Sequence, residues 1–319
     1  MFRNIMVPVD GSSFSREAVI QGLRLASLYG ATLRLVKVAT TPAFSTGPEG
    51  VALESRVSDD QHAAELANLY SIAAECRAHS TINVTASLER GPVVDALCGY
   101  ARRNAVDLIV MRSQARSGIA RIWFGSVADG LIRESGLPVL VVRPPSIGTG
   151  LEKGFTYRKI LVPLDGSNLA EQALPRAISL ARFEGASIVL VFVVPPNREA
   201  GNGTLISAIG PASANDVAAA QYYLDSIVTQ FGAGLKLDTR VVVAADIPAA
   251  ILRVADTEEV DLITMATRGQ GMMARTLGGS VSDRVMRESV SSTLVVHPIS
   301  RPAVQSQPHP MMTRQTAIA

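Results

Sequence analysis

Residues 5–12 read IMVPVDGS and residues 160–167 read ILVPLDGS, a duplication that constrains the fold more than any other feature of the chain. The same offset of 155 relates ATLRLVKV (31–38) to ASIVLVFV (186–193). An offset of 154 relates DLIVM (107–111) to DLITM (261–265), FGSVAD (124–129) to GGSVSD (278–283) and LVVRP (140–144) to LVVHP (294–298). Five blocks in one order with near-constant spacing make the chain two copies of one domain, and 319 residues suit two domains rather than one. The expected boundaries are 1–144 and 157–298, joined by a Pro- and Gly-containing linker at 145–156. Residues 299–319 have no hydrophobic period and are expected to be a disordered tail.

Strand and helix signals alternate within each copy. In the first, the short β-branched run Asn4–Val9 stops at Asp10-Gly11. Ser13 is then the expected N-cap, with Glu17 adding acid to the first helical turn. In the second, Asn168 and Glu171 have capping-box spacing. The first helix is expected to end at Gly30, where a residue without Cβ can adopt the left-handed conformation. A strand at 31–38, a helix near 57–79 and a strand at 82–88 follow. The remaining elements are a helix opened by Pro92, a strand at 106–111, a helix from about Ser126 and a last strand at 138–142. Apolar strands separated by helices predict an open parallel sheet covered on both faces, five strands per copy. Ligands of such sheets sit at the carboxyl ends of the strands, where the strand order reverses.

Composition removes several function classes. Apolar residues make up 47% of the chain and charged residues 18%, as in a well-buried globular protein. The net charge of +2 comes with no basic run and no aromatic interleaving, so no nucleic-acid partner is expected. The first ten residues lack the features of a signal peptide, and the longest apolar run, Ile188 to Pro196, is about half the length that crosses a bilayer. A cytoplasmic protein without a membrane partner is the expectation. The two cysteines, Cys76 and Cys98, are read as buried thiols rather than a disulfide, and the four histidines show no metal-ligand spacing.

The VPVDGS and VPLDGS openings, the DLIVM strand and the block before GSV together resemble the universal stress protein family, over about residues 2–144 and 157–298. The resemblance implies a five-stranded parallel α/β fold of the adenine nucleotide alpha-hydrolase-like kind in each copy. It also implies pairing of domains through their last strands and, in one branch of the family, ATP binding. The ATP-binding pattern is Gly, two residues, Gly, nine residues, then Gly followed by Ser or Thr. Glycines let backbone approach phosphate, and the Gly-Ser opens a helix whose amides favour an anion. The second copy carries Ala266, Arg268, Gly269, Gly279, Ser280 and Val281 at these places, with Leu164 and Asp165 ending its first strand. If position 266 needs a left-handed backbone, alanine there costs about 1–2 kcal/mol. The first copy keeps Val9, Asp10, Gly125 and Ser126 but has Arg112 and Ala115 for the leading glycines. The Arg112 side chain is expected to fill the pocket, making this the weaker site.

The expectation is therefore a stress-response protein that binds ATP, with Mg2+, chiefly in the second copy. The alternative is an interaction module of the same family that binds no nucleotide and works as a homo-oligomer, an intramolecular pseudo-dimer or with another protein. An ordinary reading competes at each motif: Asp10 and Asp165 can simply organise Asp-Gly turns, and the Gly-Ser pairs can be plain helix entrances. No catalytic residues are nominated. The chain has no GxxxxGK[ST] loop, and neither 105–145 nor 260–300 contains a lysine. Enzymatic work beyond slow ATP hydrolysis is not expected.

Overall fold

The computed structural model describes residues 2–39, 50–112, 125–143, 154–196, 213–267 and 281–298, the side chains of 50–62 excepted. The first copy runs β1 (Asn4–Pro8), α1 (Ser13–Tyr29), β2 (Thr32–Val38), α2 (Gly50–Ala78), β3 (Val84–Glu89), α3 (Val93–Arg103), β4 (Leu108–Arg112), α4 (Ser126–Glu134) and β5 (Val139–Val142). The second runs β6 (Lys159–Leu164), α5 (Asn168–Glu171), α6 (Leu174–Glu184), β7 (Ser187–Val194), α7 (Ala214–Phe231), β8 (Leu237–Val243), α8 (Ile247–Thr257), β9 (Leu262–Ala266), α9 (Val281–Glu288) and β10 (Ser292–Val296).

The strands form one ten-stranded sheet in the order β3-β2-β1-β4-β5-β10-β9-β6-β7-β8. Pairing within each half is parallel, as the alternation of strands and helices requires. The halves join where β5 meets β10 antiparallel, with Leu140 opposite Leu294. These two leucines occupy equivalent places in the repeat, so a pseudo-twofold axis passes between them. Each copy contributes five strands to this single sheet, and the last strands pair as the family resemblance implies. Pairing the last strands inside the chain satisfies two apolar edges that would otherwise face solvent.

Successive side chains of a strand point to opposite faces, and the cores follow that rule. Ile5 and Val7 enter a core beneath α1, α2, α6 and α7 that is continuous across both halves. Met6 points the other way, into a core under α3 and α4, and Leu161 into one under α8 and α9.

Local signals are close to the expected ones, with shifts. Gly30 ends α1 at φ 64°, its amide bonding back to Ala26 and Ser27. Ser12, not Ser13, caps α1 by accepting from the Ser15 amide. Glu17 lies beyond the first turn, which holds no acidic residue. Ser167, not Asn168, caps α5, and Glu171 bonds the Tyr223 hydroxyl rather than closing a capping box. Pro92 occupies the cap position before α3. The helix expected near 57–79 begins earlier, at Gly50, and β3 begins at Val84 rather than 82. The tail at 299–319 lies outside the described residues.

Candidate functional site

The strand order reverses between β1 and β4, and a cavity of about 360 Å³ opens there at the carboxyl ends of the strands. Its lining joins Val9 and Asp10 after β1, Val36 and Val38 of β2, Met111 and Arg112 of β4, and Gly125 and Ser126 at the start of α4. All four residues nominated in the first copy thus meet at one place.

The Asp10-Gly11 turn depends on Gly11, whose φ of 84° disfavours any side chain. Asp10 Oδ1 accepts from the Ser12 amide at 2.9 Å and the Ser12 hydroxyl at 2.6 Å. Burial pushes the Asp10 pKa up, but hydrogen bonds from the Ser12 side chain, the Ser12 amide and Ser15 together bring it below the ordinary carboxylate value. One carboxylate oxygen therefore organises the turn, as the ordinary reading holds.

Arg112 forms an ion pair with Glu17 of α1, and its guanidinium carbon lies 4.7 Å from the centre of the Phe14 ring. The two charged side chains are only 20% and 17% exposed, and Arg112 lines one wall of the cavity with Phe14 rather than filling the pocket as expected. Lys37 and Glu65 form a second ion pair on the lining, 3.6 Å apart. Each cation of the described lining already has an anionic partner.

The second copy repeats the frame with different walls. Gly166 has φ 79°, and Asp165 Oδ1 accepts from the Ser167 amide at 3.0 Å, as Asp10 does from Ser12. Ala266 takes the place of Arg112, Gln172 that of Glu17 and Leu169 that of Phe14, so the ion pair has no counterpart. Ala266 is the last residue of β9, pairs in register with Val296, and does not have a positive φ. The strain envisaged for an alanine there does not arise; only a methyl group is added. Phe192 replaces Lys37, and its ring packs edge-on against Tyr223 at 5.8 Å. The Tyr223 hydroxyl donates to Glu171 at 2.9 Å, and burial leads the causes that raise its pKa.

Leu164 and Ala266 thus end the neighbouring strands β6 and β9, Asp165 follows β6 directly, and Val281 begins α9. Arg268, Gly269, Gly279 and Ser280 lie outside the described residues. Sequence reasoning missed the Arg112–Glu17 and Lys37–Glu65 pairs and the Phe192–Tyr223 wall. The aligned repeats show that these positions differ, Glu17 standing where the second copy has Gln172 and Lys37 where it has Phe192, but not which side chains pair. No cluster of His, Cys, Asp or Glu among the described residues has the geometry to hold a metal ion. Among those residues, no helix is long and apolar enough to cross a membrane.

The model of the Universal stress protein family matches twice, over residues 1–143 and 156–297. The chain belongs to the universal stress protein family. A universal stress protein of Mycolicibacterium smegmatis is 25% identical over 312 residues, a match spanning 92% of this chain and 97% of the relative. Another, from Methanocaldococcus jannaschii, is 26% identical over 147 residues, covering 46% of this chain and 84% of its own length. Among solved structures, a universal stress protein from Archaeoglobus fulgidus superposes with a TM-score of 0.68 at 18% identity, covering 92% of this chain and 98% of that one. At that identity the likeness concerns the fold.

Proposed function

We propose that this universal stress protein is a cytoplasmic stress-response regulator that binds an adenine nucleotide, ATP with Mg2+, chiefly in its second copy. The observation that carries this reading is the contrast at the strand ends. In the first copy the Arg112–Glu17 pair stands against Phe14 at the cavity wall, whereas the second copy has Ala266, Gln172 and Leu169 at those places. Asp165 keeps the turn geometry of Asp10, with one carboxylate oxygen committed to Ser167. A carboxylate so held suits a ribose or base donor. Arg268, Gly269, Gly279 and Ser280 would meet the phosphates, and the backbone at Ala266 needs no glycine. The role is regulatory rather than enzymatic in this reading, because 105–145 and 260–300 supply no lysine for phosphoryl transfer.

The test is to identify nucleotide released on denaturing fresh protein, then to titrate ATP with magnesium calorimetrically. A single equivalent is expected with wild type and with Asp10→Ala, and its loss with Asp165→Ala. No released nucleotide, and no heat with any adenine nucleotide at millimolar concentration, would leave the interaction module as the account of this chain. For that module, the pairing of β5 with β10 inside the chain favours an intramolecular pseudo-dimer over a homo-oligomer built on the same strands.

A further inference from the structure

The pseudo-twofold axis relates positions that carry chemically different residues, and several of these lie where α1 of the first copy meets α6 of the second. Arg24 of α1 donates from both terminal nitrogens to the two carboxylate oxygens of Glu184 in α6, each at 2.6 Å. The Glu184 side chain is 0% exposed. Rotation about the axis carries Arg24 onto Ser179 and Glu184 onto Tyr29. On that second side Tyr29 is buried near Ser179, its hydroxyl without a regular hydrogen bond, and its ring packs on Phe2 and Phe183 at 5.4 and 4.6 Å. One side of the interface is a bidentate ion pair and the other is an aromatic cluster with no carboxylate in it.

Neighbouring positions differ in the same way. Gln21 exchanges two 3.0 Å hydrogen bonds with the backbone of Phe155, whereas its equivalent, Arg176, stacks on the Phe2 ring at 5.1 Å. Arg143 donates to the Met286 carbonyl at the end of α9, whereas its equivalent, His297, lies near the Ile132 carbonyl of α4 with both ring nitrogens unbonded.

We infer that this face is heterotypic: each copy is shaped for the other and rejects its own kind. The geometry of a copy pairing with itself follows directly. Two second copies would bury Glu184 against Ser179 twice, each carboxylate losing its bidentate Arg24 partner and keeping only Arg176, the cation that acts on Tyr29 at that place. Two first copies would bring Arg24 against Tyr29 twice and leave two guanidinium groups without their carboxylate. Removing one member of a buried ion pair is strongly unfavourable, so both self-pairings are selected against. The partner that fits the pairing face of one copy is then the other copy of the same chain. A second molecule offering the same copy does not fit.

The test uses the full chain and redistributes the two sets of residues. Arg24→Ser with Tyr29→Glu gives both copies the Ser/Glu set. Ser179→Arg with Glu184→Tyr gives both the Arg/Tyr set. Each symmetrised chain is expected to melt at least about 5 °C below wild type. All four substitutions together exchange the sets, restore the opposition of Arg and Glu, and are expected to recover most of that loss. A fourfold variant that loses the sum of the two, or symmetrised chains that melt with wild type, would overturn the inference. A cycle of Arg24→Gln and Glu184→Gln serves if the fourfold chain does not fold. The double variant is expected to lose clearly less than the two single losses added together, and strict additivity would equally overturn the inference.

Discussion

At the scale of single residues, the two copies differ most instructively in what they bury. Arg143 and His297 are repeat equivalents, 9% and 6% exposed, yet only the arginine has strong partners. Burial still lowers the Arg143 pKa, to about 10, so the group stays charged at neutral pH. His297 is lowered from 6.5, chiefly by burial, against a smaller opposing effect of the Ile132 carbonyl. The native state therefore holds His297 neutral under conditions in which the unfolded chain protonates it. Stability from this group is intact above about pH 6.5 and is lost as the pH falls towards the lower native value, by at most about 1.4 kcal/mol per pH unit. Urea unfolding at pH 7.5 and pH 5.5 should show a smaller acid loss for His297→Leu than for wild type. Equal losses in the two proteins would exclude His297 as a source of acid sensitivity.

Among the elements, the sharpest contrast is between α1, one helix of 17 residues, and its equivalent, divided into α5 and α6 at Gln172-Ala173. Pro175 explains the division, since it has no amide to offer the Glu171 carbonyl and its ring crowds that carbonyl. Ile20 stands at the same place in α1. The helical phase survives the break: Ala173, Leu174, Ala177, Leu180 and Ala181 are buried as are Ala18, Val19, Gly22, Leu25 and Ala26. Pro175→Ala should accordingly join the two segments without repacking. The expected gain is about 1 kcal/mol by urea unfolding, with slower amide exchange at 172–175. A loss of stability would mean that the break itself supports the packing. The alternation of strands and helices, the Gly30 stop and the parallel pairing were legible because they depend on residue type and period alone. The convergence of Val9, Asp10, Gly125 and Ser126 was legible too, through the repeat and the family motif. Caps were misplaced by one residue because Ser12-Ser13 and Ser167-Asn168 each offer two competent side chains, and only backbone geometry selects the first. The Arg112–Glu17 pair was hidden for another reason. Its members are 95 positions apart in the chain, and a side chain's partner across such a distance is fixed by packing.

For the whole molecule, the pairing of β5 with β10 turns a tandem repeat into one sheet with a shared core, and cooperativity should follow. The core beneath α1, α2, α6 and α7 runs across the junction, and Leu140 and Leu294 meet on the axis, 2% and 1% exposed. Unfolding one copy would uncover apolar surface on the other, strip the hydrogen bonds of an inner strand and leave Glu184 without Arg24. Each copy is therefore destabilised by the loss of its neighbour, and wild type should unfold in a single calorimetric transition although its sequence holds two domains. Leu140→Asp places a carboxylate at the centre of the junction, where no described cation pairs with it and the packing of Leu294 is lost. The expected result is two resolved transitions, both at lower temperature than the wild-type one. Two independent transitions in wild type, unmoved by Leu140→Asp, would show that the copies merely touch. A single sharp transition in the variant would show that the helices facing one another, Arg24 against Glu184, couple the halves without the strands. The two contacts can be separated in this way because one lies in the sheet and the other in the layer above it.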